Sequence, residues 1–225
     1  MKRFWHLGRY RYAFYRFTIE QCFRNRRDLV LDAGCGSRGS LQQQVSRLVG
    51  VDILRENIRK IRQTKQGDFL VASLTHLPFR PSVFDAVVCV DVLEHIKQKK
   101  QVVEEFAKVS RMKANLVGST TNLLNPFMLF DSFSSYPSKA LVKYVGQHYE
   151  RHSRLTPKSL VRTLSNAGYS LRMSFYGEPP LQPWLYEFSN KKVPWYAHIW
   201  ILFDRLPLKF LKEDIVFVAV KGFSL

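Results

Sequence analysis

The stretch LVLDAGCGSRGSLQ, residues 29–42, joins a short apolar run to a loop that holds Gly34, Gly36 and Gly39. Leu29–Leu31 has the character of a buried strand, and the three glycines spell G-x-G-x-x-G, the spacing of a dinucleotide-binding turn between a strand and a helix. In such a turn the glycines let the backbone approach a pyrophosphate at a helix N-terminus. Two features of this stretch argue against that ligand. Asp32 sets a carboxylate at the strand's end, where it opposes an anion and suits a cation. The segment left for the helix is also short, about Gly39 to Val45, too little to supply a strong dipole.

Working outward, the chain alternates apolar runs with amphipathic ones. Leu48–Ile53 reads as a second strand ending in Asp52, Asp68–Val71 as a third and Phe84–Val90 as a fourth, apolar throughout as a strand covered on both faces is. Residues 92–111 carry Ile96, Val102, Val103, Phe106 and Val109 at helical period. Leu116–Ser119 is a fifth strand. Thr156-Pro157 opens a helix with a hydroxyl cap and a first-turn proline, Leu160, Val161, Leu164 and Ala167 form its inner face, and Gly168 ends it. Leu171–Phe175 and Ile215–Val220 complete seven strands. Strands alternating with helices predict an α/β fold with a parallel, doubly wound sheet, whose ligands bind beyond the carboxyl ends of the strands. The glycine loop, Asp52, the loop near Ser73 and Asp91–His95 all fall at that edge.

LDAGCG, then VGVD, LPF and FDAVVCVDVLEH, resembles the class I methyltransferases that use S-adenosylmethionine, in particular the type 11 group. The resemblance runs from about Leu29 to Gly177 and resumes in IVFVAVKG, residues 215–222. It implies a Rossmann-like seven-stranded, mostly parallel sheet with an antiparallel last strand over 28–225, and S-adenosylmethionine as cofactor. Asp32, Gly34, Cys35 and Gly36 would hold the amino acid end. Asp52 would accept hydrogen bonds from both ribose hydroxyls, Ile53, Ser73 and Leu74 would flank the base, and Asp91 would line the methionine side. HYERH, His148–His152, resembles the family's segment over the pocket, so His148, Tyr149, His152 and Arg154 are substrate-side candidates. Two departures stand out. The family's third glycine falls where Arg38 stands, with glycine one residue later at Gly39, and its adenine-contacting Asp, five residues before the proline of LPF, is replaced by Ser73. A hydroxyl still accepts a hydrogen bond. These departures keep open a cofactor-fold binding protein without turnover.

Methyl transfer from a sulfonium is a direct displacement, so positioning supplies much of the catalysis, and a hydroxyl acceptor also needs a base. His95, at the ligand edge, is the candidate base, against the alternative that Glu94-His95 merely begins a helix. Cys22, Cys35 and Cys89 form no C-x-x-C pair, and His148 and His152 lack a third ligand, so no metal is expected and a reducing cytoplasm fits. Cys35 and Cys89 read as packing residues and Asp85 as orienting the start of strand four. The net charge of +17 favours acidic partners. Residues 1–27 read as a basic, aromatic helical arm, and 179–210 as an aromatic insertion between the last two strands, with Trp184, Trp195 and Trp200 inside it and Lys191, Lys192 and Arg205 among its basic residues. That composition suits a lid over a lipophilic small-molecule acceptor and peripheral contact with an anionic membrane, with a simple cover for the sheet as the alternative. RNA is the second choice of acceptor, since Arg and Tyr can stack on bases and neutralise phosphates.

Overall fold

The computed structural model describes residues 28–41, 47–124, 155–177 and 214–222. Seven strands form one sheet: β1 (Leu29–Ala33), β2 (Arg47–Asp52), β3 (Asp68–Val71), β4 (Phe84–Val90), β5 (Ser110–Thr121), β6 (Tyr169–Gly177) and β7 (Asp214–Lys221). Their spatial order is β3-β2-β1-β4-β5-β7-β6. The first five pair in parallel, and β7 runs antiparallel to both β5 and β6. This is the doubly wound sheet expected from the alternation of runs, with the antiparallel last strand that the family resemblance implied. The arm at 1–27, the insertion at 179–210 and the segment 42–46 after the glycine loop lie outside the described residues.

Side-chain alternation along the strands builds a core on each face. In β1 Val30 joins one cluster and Leu31 the other; in β4 Ala86, Val88 and Val90 face one way while Val87 and Cys89 face the other. One face is covered by α1 (Arg55–Thr64), through Ile58 and Ile61. The other is covered by α2 (Lys99–Val109), through Val102, Val103, Phe106 and Val109, and by α3 (Pro157–Asn166), through Leu160 and Leu164. Cys35 and Cys89 are buried thiols in these two cores.

The structure refines several sequence boundaries. The helical span expected over 92–111 divides. A 3-10 turn, Leu93–His95, ends at Ile96 in extended conformation, and α2 begins only at Lys99. Asp91, at φ 53°, turns the chain out of β4 into the 3-10 turn, and the extended backbone at Ile96 separates that turn from α2. β5 starts at Ser110, ahead of the apolar run at Leu116, because its register shifts against β4 between Phe84 and Ala86, with Lys113 at φ 63°. α1 did not stand out in the sequence, since eight of its ten residues, RENIRKIRQT, are polar and only Ile58 and Ile61 are buried. α3 has the cap read from its sequence. Thr156 Oγ1 accepts from the Ser159 N–H at 3.1 Å, and Ser159 Oγ accepts from the Thr156 N–H at 2.8 Å. Asp85 accepts from the Leu29 N–H at 2.8 Å and pairs with Arg111, which ties the starts of β4, β1 and β5 together.

Candidate functional site

The carboxyl ends of β1, β2, β3 and β4 converge around the glycine loop. Its shape is set by hydrogen bonds back onto β1 and β2. The N–H groups of Gly34 and Cys35 both donate to the Val51 carbonyl, at 2.8 and 3.0 Å. The Gly36 N–H donates to Asp52 Oδ2 at 2.9 Å, the Gly39 N–H to the Cys35 carbonyl at 2.8 Å, and the Ser40 N–H to Asp32 Oδ2 at 2.8 Å. Gly34 has φ 78°, and a Cβ there would stand 2.5 Å from the Val92 side chain, so the position demands glycine twice over. The N–H groups that a pyrophosphate would need at these five positions are already engaged. The loop is therefore wired to carboxylates and carbonyls, and that wiring disfavours an anionic ligand.

Asp32 is fully buried at the end of β1. Its Oδ2 is held by Ser40, while its Oδ1 has no hydrogen-bond partner among the described residues. Burial pushes its carboxyl above the ordinary range, and the Ser40 hydrogen bonds and the Lys65 charge oppose that. A buried carboxylate oxygen without a donor costs free energy until one arrives. Asp52, at the end of β2, is also buried. Besides the Gly36 N–H it accepts from the Leu54 N–H at 2.8 Å and from Asn57 Nδ2 at 3.1 Å, so it links the glycine loop to the first turn of α1. Ile53, beside it, is 69% exposed, an apolar side chain left open at the site's edge.

After β3, Ser73 Oγ accepts from the Thr75 N–H at 3.3 Å and lies 2.8 Å from Thr75 Oγ1, which in turn lies 3.0 Å from His76 Nδ1. Leu74 is buried in the core beneath. Beyond β4, the Asp91 N–H donates to the carbonyl and hydroxyl oxygens of Ser119, and the Ser119 hydroxyl donates to Asp91 Oδ1, which holds the strained turn in place. His95 is exposed on the 3-10 turn.

Its neighbour Glu94 is the residue that sequence reasoning passed over. Glu94 is buried, accepts from Thr121 Oγ1 at 3.3 Å, and leaves Oε2 without a partner among the described residues. Burial first, and then the Asp91 carboxylate, push its carboxyl up to about 7. Lys99 lies buried nearby and donates to the Ile96 carbonyl, and burial pulls its ammonium down to about 8. The signal available in the sequence was its place in VLEH, between two residues of the turn, where the helical period alone gives no hint of burial. Asn57 and Lys65, on and just after α1, were missed with that helix.

Burial pushes the Cys35 thiol above its usual range, so it is a poor nucleophile, as its packing suggests. Among the described residues no group of three or more His, Cys, Asp or Glu could hold a metal ion. His148, Tyr149, His152 and Arg154 lie outside the described residues.

The family described as "Methyltransferase domain" (type 11) matches residues 31–117. Among curated relatives, an uncharacterized protein of Methanocaldococcus jannaschii is 29% identical over 119 residues, 48% of this chain and 51% of the relative. A ubiquinone biosynthesis O-methyltransferase of Xylella fastidiosa is 28% identical over 152 residues, 63% of this chain and 61% of the relative. The chain thus spans about half to three-fifths of these relatives. Among solved structures, a methyltransferase of Haloferax volcanii in complex with the Trm112 activator superposes with TM-score 0.67 at 16% identity, over 99% of this chain and 91% of that one. An S-adenosylmethionine-dependent methyltransferase of Methanosarcina mazei gives 0.63 at 18%, over 92% and 98%. The magnesium protoporphyrin IX methyltransferase of Synechocystis, with S-adenosylhomocysteine bound, gives 0.56 at 17%, over 96% and 84%. The site fits that kind of cofactor: a buried carboxylate oxygen lacking a donor suits an ammonium, and a loop with engaged N–H groups does not need a phosphate.

Proposed function

We propose that the chain, whose residues 31–117 match the methyltransferase domain family on a fold shared with S-adenosylmethionine-dependent methyltransferases, uses S-adenosylmethionine to methylate a hydroxyl on a small, lipophilic acceptor. The observation that carries the reading is the buried Asp32 Oδ1, without a partner among the described residues, in a loop whose N–H groups at Gly34, Cys35, Gly36, Gly39 and Ser40 are already engaged. When bound, S-adenosylmethionine supplies a methyl group already activated on a sulfonium. Asp32 meets the ammonium of its amino acid end, with Gly34, Cys35 and Gly36 giving close backbone approach. Asp52 accepts from the ribose hydroxyls, Ile53, Ser73 and Leu74 flank the base, and Asp91 lines the methionine side. His95, exposed on the 3-10 turn after β4, accepts the proton that the acceptor hydroxyl releases. His148, Tyr149, His152 and Arg154 are proposed to position the acceptor. The O-methyltransferase relatives support a small-molecule acceptor. We place the protein in the cytoplasm, with peripheral contact to anionic membrane; no helix among the described residues is long and apolar enough to cross one.

Isothermal titration with S-adenosylmethionine, S-adenosylhomocysteine and NADH tests the cofactor. Asp52→Ala should weaken the first two by roughly 2–3 kcal/mol, the scale of losing charge-assisted hydrogen bonds to a buried ligand. Affinity for S-adenosylmethionine left unchanged by Asp52→Ala, with NADH bound instead, overturns the assignment. Profiling of metabolites and lipids with methyl-labelled cofactor, wild type against the Asp52 variant, then identifies the acceptor class. Labelled RNA in place of lipid would promote the second choice.

A further inference from the structure

We propose that Lys65 is a positioning residue of the glycine loop: from the end of α1 its ammonium ties down the loop's far side and supplies the cationic partner that keeps Asp32 charged to receive a ligand's ammonium. The proposal rests on the cofactor reading above and concerns a residue outside the matched motifs.

Lys65 caps α1. Its N–H donates to the Ile61 carbonyl and its backbone leaves the helix in extended conformation, which turns the side chain back under the loop. Its Nζ donates to the Leu41 carbonyl, the last described residue after the glycines. A Cβ at Gly39 would stand 3.0 Å from Lys65 Nζ and 3.3 Å from Lys65 Cδ, at a φ of 74° that side chains rarely adopt. Glycine at 39 therefore clears the space the lysine occupies.

The charges around Asp32 single out the same residue. Among the described residues, the titratable groups acting on it are Lys65 from the end of α1, Asp52 from β2, Cys35 within the loop and Cys89 from β4. Only Lys65 among them is a cation. Burial drives Asp32 toward its neutral form and Lys65 resists it; burial drives Lys65 toward its neutral form and Asp32 and Cys35 resist that. Removing the lysine leaves a buried carboxylate with an anionic neighbour and a hydrogen bond from Ser40, and it takes up a proton more readily.

The test uses the full chain and measures affinity for S-adenosylmethionine and for 5′-methylthioadenosine, which lacks the amino acid end, from pH 5.5 to 8.5. Lys65→Met should weaken S-adenosylmethionine about ten-fold at neutral pH, one decade of altered protonation or less. It should also move the acid-side loss of affinity to higher pH, while methylthioadenosine changes little. Lys65→Arg should restore the wild-type pH profile. Equal weakening of both ligands with no change in pH profile, or no weakening of either, overturns the proposal. If the wild type binds neither ligand, the cofactor reading falls by itself. The Lys65 assignment is then decided on the ligand-free protein by urea unfolding of Lys65→Met, Asp32→Asn and the double variant. Non-additive midpoints support the coupling of Lys65 to Asp32, and strict additivity overturns it.

Discussion

At the scale of the residue, the site is a set of buried acids at the carboxyl ends of strands, each with a different balance of partners. Among the described residues Asp52 has three donors, Asp32 has one oxygen satisfied and one not, and Glu94 has a long hydrogen bond from Thr121 and an Oε2 without a partner. Glu94 makes a prediction about pH. Its folded value, about 7, lies above the ordinary 4.5, so the folded protein binds the proton more tightly than the unfolded chain. Folding is then favoured while Glu94 is protonated, and stability falls as pH rises from about 4.5 to about 7, by on the order of 3 kcal/mol. Glu94→Gln should remove that slope. Lys99 loses an attractive partner in the variant, which offsets part of the gain, but its own value near 8 keeps its titration above the window, and the raised Asp32 carboxyl is common to both proteins and drops out of the comparison. Urea midpoints at pH 5, 6, 7 and 8 check this, and parallel slopes for wild type and variant would refute it. The two acids flanking the cofactor loop were legible in the sequence because each ends an apolar strand inside a motif. Glu94 and Lys65 were not, because their weight comes from burial and from neighbours distant in sequence.

At the scale of the element, what could be read ahead depended on how much of each segment faces the core. β3 and β4 have the bounds their apolar runs predict, since a run with sharp polar ends has one register only. α1 has two buried residues in ten and was invisible to a search for apolar period, although its first turn carries Asn57 against Asp52. The division between the 3-10 turn and α2 was hidden for another reason: the apolar residues keep helical period across a break at Ile96, where the backbone is extended. α3 was the easiest helix to place, because its start is written in Thr156 and Pro157. That cap has a measurable value. Thr156→Ala removes the acceptor for the Ser159 N–H and should cost about 1 kcal/mol. A lower urea midpoint with unchanged slope is the expected reading, and an unchanged midpoint would mean that packing of Leu160 and Leu164 holds the helix without its cap.

At the scale of the whole molecule, a net charge of +17 acts on anything acidic that approaches. α1 presents Arg55, Arg59, Lys60 and Arg62 to solvent beside the strand ends that carry the site. Anionic vesicles should therefore sediment with the protein at low salt and release it at high salt, each basic residue near the surface contributing about 1 kcal/mol at most. Absence of vesicle binding together with salt-sensitive RNA binding would move the acceptor reading toward RNA. The sheet order has a consequence for how the molecule is made. β7 is inserted between β5 and β6, with residues Asn115–Thr121 paired on one side and Tyr169–Gly177 on the other. As the chain leaves the ribosome, β1 to β5 can assemble from their own contacts. The edge of β5 stays open, and β6 has nothing to pair with, until Asp214–Lys221 has emerged. A stalled or clipped chain ending before Asp214 would present two bare strand edges and lack Phe217 from its core, which makes it a substrate for chaperones and proteases and a seed for edge-to-edge association.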